Sequence, residues 1–191
     1  MTPSRIAIFA SGSGTNAERI IQYFQNHPQI QVCVVLTNNA TAGVIGRAQK
    51  RGVPTVVFTR EEFRDREKMI QLLKQQQITH IVLAGFLWMV PDYLIKAYPG
   101  KIINIHPALL PKHGGKGMYG LRVHEAVKAA AERETGITIH LVNEHYDEGK
   151  IIFQAQCAVE ESFSADEIQN CVHKLEYEHY PRVIEEWIGN A

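Results

Sequence analysis

Cysteine is scarce: only Cys33, Cys157 and Cys171 occur in 191 residues. The number is odd and no CxxC spacing is present, so neither a disulfide framework nor a zinc knuckle is indicated. Cys33 and Cys157 sit in strand-like runs and Cys171 in a helical one, which fits small residues in or near a core. Long apolar runs are also missing. Nothing is long enough to span a membrane, and Met1-Thr2-Pro3-Ser4-Arg5 leads into a strand without a signal-peptide pattern. A reducing, cytoplasmic setting with no membrane partner is the expectation. There is no excess of either charge: 20 basic residues balance 20 acidic ones. A nucleic-acid binder usually carries a basic surplus, so nucleic acid is disfavoured as a partner, whereas a small anion needs only a local site. No repeat, low-complexity tract or linker is visible, and residues 1–191 are expected to form a single domain.

What is present is the balance of a globular α/β chain, 45% apolar and 21% charged. Arg5–Ala10, Gln31–Thr37, Pro54–Phe58, His80–Ala84 and Lys101–Ile105 read as strands. Asn16–Gln25, Ala42–Arg51 and Glu61–Gln76 read as helices, with Gly52 a natural stop. Strands alternating with helices predict a Rossmann-like, mostly parallel sheet flanked by helices on both faces. The pattern then changes. Gly136–Val142 and Lys150–Ala158 are separated by a short link, which predicts a C-terminal antiparallel hairpin. A terminal helix follows, with Ser164 and Glu167 as a capping box and Phe163 and Ile168 as a hydrophobic staple. Pro181 is expected to kink or interrupt it.

The run Asn104-Ile105-His106-Pro107 carries the sharpest chemical signal. Alternate strand residues face the same side, so Asn104 and His106 share a face. Pro107 stops the strand and leaves the pair at its C-terminal end, where open α/β sheets bind ligands. An amide donor beside a titratable ring suits a developing oxyanion that also needs a proton. The plainer alternative is a polar strand exit that bonds its own turn. Ser11-Gly12-Ser13-Gly14-Thr15-Asn16 joins the first strand to the first helix and suits either an anion or a bare tight turn. It has no Lys after its last Gly, which excludes a nucleoside-triphosphate P-loop. Asp147 lies in the hairpin link beside Gly149, where Asp most often serves the turn. Lys112–Gly120, with four glycines, reads as a mobile loop ahead of a helix at Leu121–Ala131, either a substrate-contacting flap or a plain flexible connection, and His124 as a solvent-facing residue of that helix's first turn.

The octet Asn104–Pro111 resembles the active-site motif of the folate-dependent formyltransferases. The resemblance extends to the Gly loop, to Leu83-Ala84-Gly85-Phe86, to Gly136–His140 and to Asp147-Glu148-Gly149, and so spans nearly the whole chain. Within that family it is most similar to the branch acting on glycinamide ribonucleotide. The resemblance implies transfer of the formyl group of 10-formyltetrahydrofolate to the amine of that acceptor, in purine biosynthesis. 10-Formyltetrahydrofolate would be a co-substrate, with no tightly bound cofactor and no metal. It assigns Asn104, His106 and Asp147 to catalysis, with Asp147 holding His106 charged. It puts the ribonucleotide phosphate on Ser13, Gly14, Thr15 and Asn16, with His173 and Glu176 alongside, although three-apart residues on a helix also suit a solvated face. Folate would lie along Phe86, Leu87, Trp88, Met89 and Val90 and at Asn143. Three positions depart from the family pattern: Trp88 stands for a basic residue, Glu148 for a small one, and His173 for a lysine or glutamine. The alternative within the family is formyltetrahydrofolate deformylase, which uses water as acceptor and carries a second His where this chain has Pro107. Whether the protein is a monomer or a homodimer is open at this point.

Overall fold

The computed structural model describes residues 3–190. Seven strands form one sheet in the order β3-β2-β1-β4-β5-β6-β7. They are β1 (Ser4–Phe9), β2 (Ile30–Thr37), β3 (Thr55–Val57), β4 (His80–Leu83), β5 (Ile102–His106), β6 (Glu134–Leu141) and β7 (Ile151–Ala158). The first five pair in parallel; β6 pairs antiparallel with both β5 and β7. The mostly parallel Rossmann-like sheet with an antiparallel C-terminal hairpin is thus as expected. From β1 the chain builds outward to β2 and β3, then returns to the other side of β1 at β4. The strand order reverses between β1 and β4, and the crevice beyond their C-terminal ends is where such sheets take ligands.

Helices cover both faces. They are α1 (Thr15–Phe24), α2 (Gly43–Lys50), α3 (Arg60–Arg64), α4 (Arg66–Gln75), α5 (Asp92–Ala97), α6 (Leu121–Ala129) and α7 (Ala165–Gly189). Along β1 the side chains alternate between two cores. Ile6 and Ile8 join residues of α1, α2 and α7. Ala7 and Phe9 join residues of α3, α4 and α5. On β5, Ile103 and Ile105 belong to the first core and Ile102 to the second. Strand alternation therefore puts Asn104 and His106 on the side of Ile102.

Three details differ from expectation. The helix over Glu61–Gln76 is two helices, because Asp65 leaves helical geometry and caps α4 by accepting from Lys68 N at 3.1 Å. The short α5 follows Pro91 and has no counterpart among the elements expected from sequence. α7 runs through Pro181 without interruption. Burial compensates for the lost backbone bond there: Pro181, Tyr180, Val183 and Ile184 are all buried, and Tyr180 Oη donates to Leu83 O at 2.7 Å. The capping box at Ser164 and Glu167 is present, and Phe163 packs with Ile168.

Two glycines let the hairpin close. A Cβ on Gly136 would lie 1.9 Å from Ala155 O, and one on Gly149 would lie 1.6 Å from Leu141 O. No side chain fits at either place. The β6–β7 register slips at His140, which pairs with Ile151 while Ile139 pairs with Phe153. One residue, Ile152, is left over, and such a bulge re-aims the side chain beside it.

Candidate active site

Asn104 and His140 are direct partners across β5 and β6. His140 Nδ1 lies 2.9 Å from Leu141 O, so this nitrogen carries the proton and donates. Nε2 is then an acceptor, and Asn104 Nδ2 donates to it at 3.2 Å. That bond decides which end of the carboxamide is which. One N–H of Asn104 is held by His140, and the second is available to a ligand.

His106 is 3% exposed. Its Nε2 donates to His113 O at 2.8 Å, while Nδ1 faces Asp147 Oδ2 at 3.5 Å. Burial pushes the imidazole below its usual range, and the nearby Asp147 charge only partly offsets this. His106 is therefore neutral near pH 7, with its Nδ1 lone pair toward the carboxylate. This differs from the expectation that Asp147 holds it charged: at 3.5 Å the ion-pair attraction does not cover the cost of desolvation. Asp147 itself stays ionised. Burial raises its carboxyl, but the Gly115 N–H, which donates to Oδ2 at 2.9 Å, and the His140 and His106 rings, whenever either turns a proton toward it, bring it below the usual range. Asp147 has a left-handed backbone, φ 57°, which an Asp tolerates in a turn. Asn104, His140, Asp147 and His106 thus form a connected set, each within 3.6 Å of the next.

The turn after β5 is held from the neighbouring strands. Thr138 Oγ1 donates to Ala108 O at 2.7 Å and accepts from Leu110 N at 2.9 Å and Gln154 Nε2 at 2.8 Å. Its donor and both lone pairs are all used. His140, Thr138 and Gln154 were missed as supporting residues from sequence. Alternation along β6 puts Thr138 and His140 on one face, but only the register shows that they stand opposite His106 and Asn104. The loop Lys112–Gly120 contributes two backbone groups to the set: His113 O and Gly115 N.

A second set gathers at the start of α1. Gly14 adopts φ 79° and leads into the helix. Asn16 Nδ2 donates to Glu176 Oε2 at 2.9 Å, and His173 Nε2 is 4.0 Å from the same oxygen. Glu176 does not lie on a solvated face: it is 6% exposed, and burial pushes its carboxyl up to about 7 against the smaller effect of Asn16. His124 is also buried rather than solvent-facing, at 1% exposure. Burial, with His173 and His106 nearby, lowers it to about 4. Among the described residues, Asn16 Oδ1 and His124 Nδ1 are buried and without a partner.

Beyond β4, Ser11 N donates to Gly85 O at 3.0 Å, and Leu87 N donates to Ser11 Oγ at 3.0 Å. These bonds tie the Gly loop to the Phe86–Val90 segment. Leu87 and Met89 are exposed, Val90 is buried, and Phe86 and Trp88 pack into an aromatic cluster with Phe58 and Phe63. Arg60 lies over the Trp88 ring at 4.9 Å, so a cation still stands at this departure from the family pattern. Asn143 closes its own turn, accepting from His145 N at 3.0 Å. Among the described residues, no group of three His, Cys, Asp or Glu is placed to hold a metal.

Comparison with known proteins shows the family. The chain is 34% identical over 190 residues to the phosphoribosylglycinamide formyltransferase of Bacillus subtilis, covering 97% of this chain and 95% of that one. It is 34% identical to the chloroplastic phosphoribosylglycinamide formyltransferase of Arabidopsis thaliana, of whose length it spans 64%. Among solved structures, the phosphoribosylglycinamide formyltransferase of Bacillus halodurans superposes with a TM-score of 0.85 at 36% identity, covering 96% and 94% of the two chains. Residues 4–184 match the family model described as formyl transferase. The chain belongs to the formyl transferase family.

Proposed function

We propose that the protein transfers the formyl group of 10-formyltetrahydrofolate to the primary amine of 5-phosphoribosylglycinamide, a step of purine biosynthesis. The observation that carries this reading is the connected set Asn104–His140–Asp147–His106 at the C-terminal end of β5, in a chain so similar to enzymes of that name. The amine attacks the formyl carbon directly. A C–N bond forms, the carbonyl oxygen gains the electron pair, and the free N–H of Asn104 donates to it. The attacking nitrogen then sheds a proton, which the ionised Asp147 and the lone pair of His106 Nδ1 are placed to take. Collapse of the oxyanion breaks the bond to the folate nitrogen, which recovers a proton. No covalent intermediate on the protein is needed, and holding two substrates together supplies much of the rate.

In this reading Ser13, Gly14, Thr15 and Asn16, with His173 and Glu176, hold the phosphorylated ribose. Phe86 to Val90 and Asn143 border the folate. Residues 1–191 act as a single domain on two small molecules, and the co-substrate is used rather than retained.

Formyltetrahydrofolate deformylase remains the second reading, since water can take the place of the amine at Asn104, His106 and Asp147. The set formed by Asn16, His173 and Glu176 favours a phosphorylated amine, because deformylation needs no such acceptor. The test is formyl transfer to synthetic glycinamide ribonucleotide, set beside formate release without acceptor. Transfer should dominate, and the dephosphorylated acceptor should show a much lower kcat/KM. Equal values for the two acceptors would remove the phosphate role from Ser13–Asn16.

A further inference from the structure

We infer that Arg47 is a positioning residue for the acceptor: it orients the Gly loop toward an anion and screens the Glu18 carboxylate, which opposes binding there. The inference rests on the phosphate-binding reading of Ser13–Asn16. A loop binds an anion when its N–H groups point at the ligand and its carbonyls point away. Here the carbonyls are drawn back by α2. Gly12 O accepts from Val44 N at 3.2 Å, and Ser13 O accepts from Arg47 Nε at 2.9 Å. The packing allows no slack. A Cβ on Gly14 would stand 2.5 Å from Val44 Cβ, and one on Gly43 would stand 3.1 Å from Ser13 O.

Arg47 has a second partner. Its Nη1 bonds Glu18, and Arg51 Nη2 lies 3.6 Å from the other oxygen of that carboxylate. Glu18 stands in the first turn of α1. An acidic residue there suits the positive end of a helix. It also repels any anion seated on the same N-terminus. Arg47 spans both features, with one nitrogen on the loop carbonyl and another on the carboxylate. It touches neither the catalytic set nor the Phe86–Val90 segment, so its effect should fall on one substrate alone.

The test compares Arg47→Gln, Arg47→Lys, Glu18→Gln and the double variant Arg47→Gln/Glu18→Gln in the full chain. KM for each substrate, kcat and competitive inhibition by inorganic phosphate are measured. Arg47→Gln should raise the acceptor KM and the phosphate inhibition constant by about tenfold, the scale of one hydrogen bond from a charged donor. The folate KM and kcat should stay within about twofold. Arg47→Lys, which keeps the charge but not the fork, should fall between, and Glu18→Gln should recover part of the loss in the double variant. Equal loss on both substrates, or a fall in kcat with no change in acceptor KM, would overturn the inference. A wild-type enzyme in which inorganic phosphate does not compete with the acceptor would instead overturn the phosphate reading of the loop. Where phosphate competes normally but the Arg47 variants keep wild-type acceptor KM, only the role of Arg47 is lost.

Discussion

Asn104 and His140 stand opposite each other on β5 and β6, and the imidazole accepts one N–H of the carboxamide at 3.2 Å. Because the other ring nitrogen donates to Leu141 O, the amide cannot turn over without placing its oxygen against a lone pair. This predicts two losses of different size. Asn104→Ala removes the oxyanion donor and should cost about 10²–10³ in kcat. His140→Ala frees the carboxamide to rotate and should cost about tenfold, the worth of one hydrogen bond. Steady-state kcat for both variants, with folding checked by circular dichroism, tests the order. A larger loss at His140 than at Asn104 would give the imidazole a direct part in the chemistry.

Gly149 should be intolerant of any side chain. Its Cβ would meet Leu141 O at 1.6 Å, and the obstruction is backbone, so the link must move. Asp147 is two residues away and would move with it. Gly149→Ala is expected to destabilise the fold by several kcal/mol, about the upper range for a single substitution. It should also lower kcat in the fraction that stays folded. A denaturant midpoint and turnover close to wild type would show that the link can re-close elsewhere.

How much of this was legible in the sequence depends on range. Asn104 and His106 were readable because alternation and Pro107 are local. The capping box at Ser164 and the Gly loop were local too. The partners were not. His140 reaches Asn104 only through an antiparallel register with a bulge, and no pattern within β6 states that register. Burial was likewise hidden: His124 looked like an ordinary first-turn residue and lies beneath the surface because α6 packs on α7. The neutral state of His106 follows from the same burial. The family resemblance puts Asp147 opposite His106, whereas the desolvation that outweighs its charge is stated by no motif.

Buried titrating groups should give the stability a two-sided pH dependence. Burial lowers His80 and His124 to about 4 from 6.5. The unfolded chain takes up protons first as pH falls, so stability is lost from pH 6.5 down to about 4. Glu176 acts the other way, its carboxyl raised from 4.5 to about 7. Above pH 4.5 the unfolded chain ionises this group while the folded one does not, so stability falls as pH rises to about 7. Glu176→Gln keeps an acceptor for Asn16 and removes that penalty. It should leave stability at pH 4.5 near wild type and raise it at pH 8 by about 1–3 kcal/mol, since each tenfold change in an ionisation constant is worth about 1.4 kcal/mol. Urea midpoints at the two pH values test this, and an equal change at both would mean that ionisation of Glu176 is not involved.

His106 and Asp147 should act as one unit. The ring nitrogen that faces Asp147 carries a lone pair, because the other donates to His113 O. A proton arriving between them therefore settles on His106 Nδ1 and creates an ion pair in a buried site, which is favourable as negative charge develops on the formyl oxygen nearby. Either residue alone cannot do this. Without Asp147 only the His113 carbonyl is left to offset the charging of the buried ring, and without His106 the carboxylate has no ring to share the proton with. His106→Ala and Asp147→Asn should each remove most of the shared function, and the double variant should cost far less than the sum of the two free-energy losses. The pH profile adds a second check. Since Asp147 opposes the depression of His106, Asp147→Asn should shift the His106-dependent limb of kcat/KM to lower pH. If the two losses add cleanly and that limb does not move, the residues work independently, and proton sharing between them has to be abandoned.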